Sequence, residues 1–193
     1  MVIMMKLKNM MYASVFVAVI AALGILPPLV LPISPVPITA QSLGVMLAGA
    51  ILGARYGGMS LVIFVLLVPF GAPLLSGGRG GISVFLGPSG GYILSWPIAA
   101  FVIGYLVEKY WHKMNIARFI LFNIIGGILV IYAAGVTYTS FNIGIPWGTA
   151  AYQALIYIPG DIAKVVVAAV IAMQIKKAYP LIKKSRDPQS KAA

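Results

Sequence analysis

The chain has no cysteine, one histidine and three acidic residues in 193 positions, and each scarcity closes off some chemistry. Without cysteine there is no disulfide, no thiolate nucleophile and no sulfur-ligated metal, and His112 alone cannot assemble a metal site. No carboxylate pair, no HExxH, no serine with a histidine base and no nucleotide-binding signature stands in the apolar segments, so the chain lacks the tools of an enzyme or a complete ATP-driven pump. Charge of either sign is also scarce, 9% of residues against 61% hydrophobic. A soluble domain of this length could not cover so much apolar side chain, so the composition is that of a membrane protein.

What charge there is falls in clusters. No ionisable acid, lysine or arginine occurs from Asn9 to Ala54, Tyr56 to Gly78, Gly80 to Val107, or Phe119 to Gly160. With Gly, Pro and charge as punctuation, these gaps divide into six segments of crossing length, at about 10–30, 38–54, 57–75, 89–107, 117–137 and 152–175. The first begins "MVIMMKLKNMMYASVFVAVIAALG", which looks like a signal peptide but is too long in its apolar part, so it reads as a retained span. Six crossings put both termini on one side. With the termini cytoplasmic, all of the 14 basic residues except Arg79 and Lys164 fall on the cytoplasmic side, as the positive-inside rule requires. The fold expected is an all-α integral membrane bundle of six transmembrane helices with cytoplasmic N- and C-termini. It forms one domain over 1–180, followed by a polar cytoplasmic tail, 181–193, expected to be disordered. The net charge of +11 then faces anionic membrane lipids rather than nucleic acid, for which no recognition module is present.

The outer connections, "PPLVLPISPVP", "LSGGRGGISVFLGPSGG" and "YTSFNIGIPWGT", are long and rich in Gly, Pro and aromatics, whereas the inner turn "ARYGG" is short. Such loops gathered on one face suit the lining and lid of an external pocket.

The stretch "YIPGDIAK", 157–164, carries Asp161 and Lys164 in an apolar run. Three residues apart on a helix, they share a face, and Asp161 lies roughly 14 Å from the outer end of its span. An unpaired charge there costs about 2.5–3.5 kcal/mol. One account is a self-neutralising structural pair. The other is a wet solute cavity, favoured because Pro159 deprives the Leu155 carbonyl of its helical partner and Gly160 permits close approach of another group. Arg79, flanked by four glycines in "SGGRGGIS", suits either a solvated loop or a flexible gate over an anionic or carbonyl-bearing ligand. In "GPSGGYILSWP", Tyr92 and Trp96 stand one turn apart. Trp96 reads as part of an interfacial aromatic belt, and Tyr92 as either that or a ligand contact. Gln41 and Asn123 are polar at membrane depth and suit a ligand or an interhelical tie. Ser14, Ala18 and Ala22 form a small-residue stripe for close helix contact.

In this order and spacing, "SPVPITAQSLGVMLAGAILGARYGG", "GGRGGISVFLGPSGGYILSWPIAAFVIGYLVEK" and "IPGDIAK" resemble the BioY family, the biotin-specific substrate-binding (S) components of energy-coupling factor (ECF) transporters. The resemblance runs from about residue 13 to 175. It implies the ECF S-component fold in a prokaryotic cell membrane, biotin as ligand, and binding through Asp161, Lys164 or Arg79, Tyr92 and Phe85; Gln41 and Asn123 are further binding candidates from their polarity at membrane depth. Asp161 would accept the ureido N–H groups, a cation would meet the ureido carbonyl or the carboxylate, and Tyr92 and Phe85 would cover the ring. It also implies docking of Ser14, Ala18 and Ala22, where an AxxxA pattern is usual, on an ECF transmembrane coupling subunit that works with two ATPase subunits. No cofactor is expected on this chain, ATP being consumed by the partners. The rival readings are an S component for another vitamin, such as thiamin, and a non-transporting membrane scaffold.

Overall fold

The computed structural model describes residues 2–178, 181 and 182. The expected tail, 181–193, falls almost wholly outside the described residues. The described chain is helical throughout, apart from loops and two isolated antiparallel bridges. Helix α1 runs Val2–Leu23, α2 Gln41–Leu67, the short α3 Ser83–Leu86, α4 Gly90–Lys109, α5 Ile116–Ile124, α6 Ile131–Ile143, α7 Trp147–Ala154 and α8 Ile158–Ala178. A π-helical stretch, Ile125–Val130, joins α5 to α6, and a 3₁₀ turn, Leu155–Tyr157, joins α7 to α8. Among the described residues four helical stretches are long and apolar enough to cross a membrane: Gln41–Leu67, Gly90–Lys109, Ile116–Ile143 and Trp147–Ala178. The chain is therefore a multi-pass membrane protein.

The boundaries differ from those read off hydropathy where local chemistry intervenes. The first span was expected to reach about residue 30, but α1 ends at Leu23, ahead of Pro27 and Pro28. The expected third segment ran to about 75, but α2 stops at Leu67, ahead of Pro69, with Val68 still in helical φ/ψ as its C-cap. The fifth and sixth stretches are longer than expected because α6 runs on to Ile143 and because α7 adds turns from Trp147 and α8 continues to Ala178.

Helix α2 is not one rod. Gly53 adopts φ 82° and ψ −175°, a conformation essentially confined to glycine, and the chain reverses there. A Cβ on Gly57 would lie 2.7 Å from the Ala48 carbonyl oxygen, whereas on a continuous helix nine residues span about 13 Å. The two halves of α2, 41–52 and 54–67, therefore form a tight hairpin. Helix α4 closes it. Gly49 meets Ala100 and Ile103 on one half, Gly58 meets Phe101 on the other, and Gly104 rests on the backbone of Gly53 and Ala54. Glu108 Oε1 accepts the Ala54 N–H at 2.8 Å, so an acid caps the first turn of the second half, where the helix dipole favours negative charge. Elsewhere Asn115 caps α5 by accepting from the Arg118 N–H at 2.9 Å, and Gly144, at φ 69°, ends α6.

Two large buried clusters hold the bundle, and a smaller third, of Val36, Val136, Ala150, Ala154 and Tyr157, joins α6 and α7 to the loop 25–40. Of the large pair, one joins α2, α4, α5 and α8 through residues such as Met46, Ile103, Phe119 and Val165. The other joins α1, α2, α4 and α6 around Ile20, Phe64, Trp96 and Ile131. Trp96 thus does not belong to an interfacial belt: it is 5% exposed, with its ring 5.9 Å from that of Phe64.

Substituting Gly53→Ala is expected to lower the thermal midpoint, at a backbone cost of about 1–3 kcal/mol plus the overlap of the new methyl with the Glu108 carboxylate. Gly148→Ala, in open space on α7, is the matched control, expected to be neutral or slightly stabilising. Thermal unfolding of the purified protein checks both.

Candidate ligand-binding site

Between the loop 25–40, the hairpin at 75–79 and the ends of α2, α4, α6 and α8 lies an open-mouthed cavity. Its wall is mostly apolar and aromatic, from Val36, Pro37, Ile38, Leu75, Tyr92, Ile93, Trp96, Ile131, Tyr132 and Tyr157, with Gly127 of the π stretch also contributing. The polar groups on it are few: Thr39, Gln41, Ser42, Arg79, Ser89, Asp161 and Lys164. This is the make-up of a small-molecule site, an apolar body with a handful of placed polar groups.

The charged centre is built by three helices. Lys164 Nζ donates to Asp161 Oδ1 at 2.8 Å and to Ser42 Oγ at 3.0 Å, and the Tyr132 hydroxyl donates to Asp161 Oδ2 at 2.6 Å. Asp161 is buried, with 7% of its surface exposed, and each carboxylate oxygen has one strong partner. The tyrosines form an edge-on series, with ring centroids 6.2 Å apart for Tyr92 and Tyr132 and 6.4 Å for Tyr132 and Tyr157.

The backbone ahead of the pair resolves differently from expectation. The Leu155 carbonyl that Pro159 frees is taken by the Ile158 N–H in the 3₁₀ turn, and Pro159 occupies the first turn of α8, where its missing N–H costs nothing. A Cβ placed on Gly160 would meet nothing within 4 Å, so no group approaches it. The Asp161–Lys164 pair therefore faces a cavity without a broken, unsatisfied backbone beside it.

Arg79 lies on a two-bond hairpin, its N–H and carbonyl paired with Leu75 at 3.1 and 3.0 Å. Gly77 and Gly78, at φ 78° and 69°, supply the left-handed turn, so these glycines set a defined backbone. Arg79 Nε donates to the Ser76 carbonyl at 3.1 Å, leaving its terminal amino groups without a partner among the described residues. Gln41 lines the cavity with its amide fully spent: Nε2 donates to the Ile20 and Leu74 carbonyls at 3.1 and 2.9 Å, while Oε1 accepts from Ser76 N–H and Oγ at 3.1 and 3.3 Å. It ties α1, α2 and the Arg79 hairpin together.

Phe85 and Asn123, expected at the site, are not in the cavity wall. Phe85 belongs to the core cluster with Trp96, and its carbonyl accepts the Tyr138 hydroxyl at 2.6 Å. Asn123 is fully buried on α5, with neither amide atom hydrogen-bonded. Ser14, Ala18 and Ala22 are exposed along one face of α1, beside Met11, Val15 and Val19.

Three contributors escaped the sequence reading. Tyr157 donates to the Val36 carbonyl at 2.9 Å and contacts Ser34 Oγ, pinning the loop 25–40 over the cavity. Its position one helical turn before Asp161 was the available signal. Tyr132 and Ser42 lie 29 and 122 residues from their partners, and no spacing announces them.

A membrane bundle with a cavity near one end, lined by aromatics and a partnered carboxylate–ammonium pair, is that of a small-solute binding protein. The chain belongs to the BioY family, whose model matches residues 1–181. It is 44% identical over 183 residues to the biotin transporter BioY of Rhizobium etli, covering 92% of this chain and 98% of that one. It is likewise 44% identical over 178 residues to the probable biotin transporter BioY of Bacillus subtilis, covering 92% and 95%. The crystal structure, at 2.1 Å, of the S-component for biotin from an ECF-type ABC transporter superposes with a TM-score of 0.87 at 35% identity, covering 91% of this chain and 94% of that one.

Two consequences are testable without ligand. Tyr157→Phe removes the hydroxyl that holds Ser34 and Val36, and is expected to speed amide exchange across 29–38 while leaving α4 unchanged, read by hydrogen–deuterium exchange. Asn123→Leu replaces an unpartnered buried amide by an apolar group of similar size. The melting temperature is expected to hold or rise, since a lone buried polar group costs about 1–3 kcal/mol; a clear fall would reveal a partner for the amide.

Proposed function

We propose that this chain is the biotin-binding subunit of an ECF-type transporter, capturing the vitamin from outside the cell for uptake driven by ATP hydrolysis on partner subunits. The observation that carries the reading is the Asp161–Lys164–Tyr132 centre in an otherwise apolar cavity, in a chain of the BioY family. Biotin offers two ureido N–H donors and a carbonyl at one end, an apolar fused ring, and a carboxylate on an aliphatic tail. The carboxylate of Asp161 suits the ureido donors, and Lys164, already held by Asp161 and Ser42, suits the ureido carbonyl. Arg79, with its terminal amino groups unspent, is the better match for the tail carboxylate. Tyr92, Tyr132 and Trp96 supply the apolar body. Charges that are costly beside an empty cavity gain partners when it is filled.

The reading includes six crossings, the α2 hairpin counting as two and α1 as one, with both termini cytoplasmic. The strongest support is the distribution of Lys and Arg. The exposed face of Ser14, Ala18 and Ala22 is the proposed contact for the transmembrane coupling subunit, small side chains allowing close helix approach. Two ATPase subunits bound to that partner would drive reorientation of the bundle.

Isothermal titration of detergent-purified protein with biotin, with thiamin as control, tests the reading. One-to-one binding of biotin alone is expected. Asp161→Asn should weaken it by about 10- to 150-fold, the range for hydrogen bonds to a charged group. Arg79→Ala should weaken biotin more than biotin amide, which lacks the carboxylate. No heat with biotin in a folded sample would return the charged pair to a structural role.

A further inference from the structure

At the end of the bundle away from the cavity, the α4–α5 connection gathers positive charge that nothing described neutralises. Arg118, from α5, donates through Nη1 to the Lys113 carbonyl. Lys176, from α8, reaches the Met114 carbonyl at 3.5 Å. These are consecutive residues, whose Cα atoms stand about 3.8 Å apart, so a guanidinium and an ammonium from different helices converge on one turn. Lys113 belongs to that same turn. Lys176 Nζ also lies 5.1 Å from the centre of the Trp111 ring, which holds it over the connection rather than out in solvent. Glu108 engages the Ala54 N–H with one carboxylate oxygen, and Asp161 stands fifteen positions before Lys176 on α8, about 22 Å away. The ion pair found among the described residues is Lys164–Asp161. Like charges brought together this way repel, and most strongly where a bilayer excludes water.

We infer that this turn binds the phosphodiester of an anionic phospholipid, with Arg118 and Lys176 as its two ligands. Arginine offers a planar fork that meets two phosphate oxygens at once, and lysine adds a point charge. Trp111 is the amphipathic wall expected at headgroup depth. A lipid fits better than a free phosphate because the patch continues into hydrocarbon-compatible surface: Leu121, three residues after Arg118 and hence on the same face of α5, is 51% exposed. Only the assignment to the cytoplasmic leaflet rests on the orientation proposed above; the site itself does not.

Native mass spectrometry of the full chain, delipidated in detergent and titrated with phosphatidylglycerol or phosphatidylcholine, tests the inference. One phosphatidylglycerol is expected to bind about tenfold or more tighter than phosphatidylcholine, from the attraction that each basic residue near an anionic headgroup contributes. Lys176→Gln and Arg118→Gln should each erase most of that preference, Lys176→Arg should keep it, and Arg55→Gln, a basic residue on the α2 reversal, should leave it intact. Equal affinity for the two lipids, or an equal loss with Arg55→Gln, would overturn the site. Displacement of phosphatidylglycerol by millimolar inorganic phosphate, or a preference for an acidic peptide over the lipid, would overturn the lipid assignment. If Arg118→Gln does not fold, the Lys176 variants decide the matter. Biotin titration of the same samples reports separately on the cavity: failure to bind biotin with lipid preference intact would leave this site standing.

Discussion

An ammonium and a carboxylate 2.8 Å apart in the wall of a membrane cavity impose most of the arrangement around them. Neither charge tolerates that environment alone, and pairing satisfies only part of their hydrogen-bonding capacity. The remainder has to come from other helices. Tyr132 of α6 supplies a hydroxyl to Asp161, and Ser42 of α2 supplies one to Lys164. Three segments far apart in sequence are thereby held to a common register, and the cavity is the space left between them once the aromatic rings beside the pair are in place.

That register depends on backbone features placed with little tolerance. The reversal at Gly53 lets two short helices pack on α4 where a straight helix would offer one face, and the carboxylate of Glu108 caps the turn. At the other end, Gln41 spends its whole amide tying α1, α2 and the Arg79 hairpin together, so Arg79 is carried on a braced element. Tyr157 holds the loop 25–40 across the opening from the same segment that carries Asp161.

Much of this was legible residue by residue. Asp161 and Lys164 stood out because charge in an apolar run is expensive, and three-residue spacing told that they share a face. Arg79 and Tyr92 were flagged by glycine-rich surroundings, and both line the cavity. Polarity at depth misled for Asn123, because a buried amide faces a ligand in one fold and a closed core in another without any difference in the sequence. Phe85 was equally ambiguous, since aromatic rings serve cores and ligand pockets alike. Trp96 was assigned to the interface, whereas it is buried in the bundle and forms part of the cavity wall.

By itself the amino-acid sequence determined the class of environment, the presence of membrane-crossing helices, the distribution of basic charge and the pair of residues on which the site turns. These follow from local quantities, the hydropathy of a segment, the periodicity of a helix and the cost of a charge. Tertiary structure alone decided which helices met that pair, that α2 folds back on itself, that the Leu155 carbonyl finds a donor nearby, and which polar residues face the cavity. Each of those outcomes depends on distances between positions up to 122 residues apart, and a local reading of composition or spacing carries no term for them.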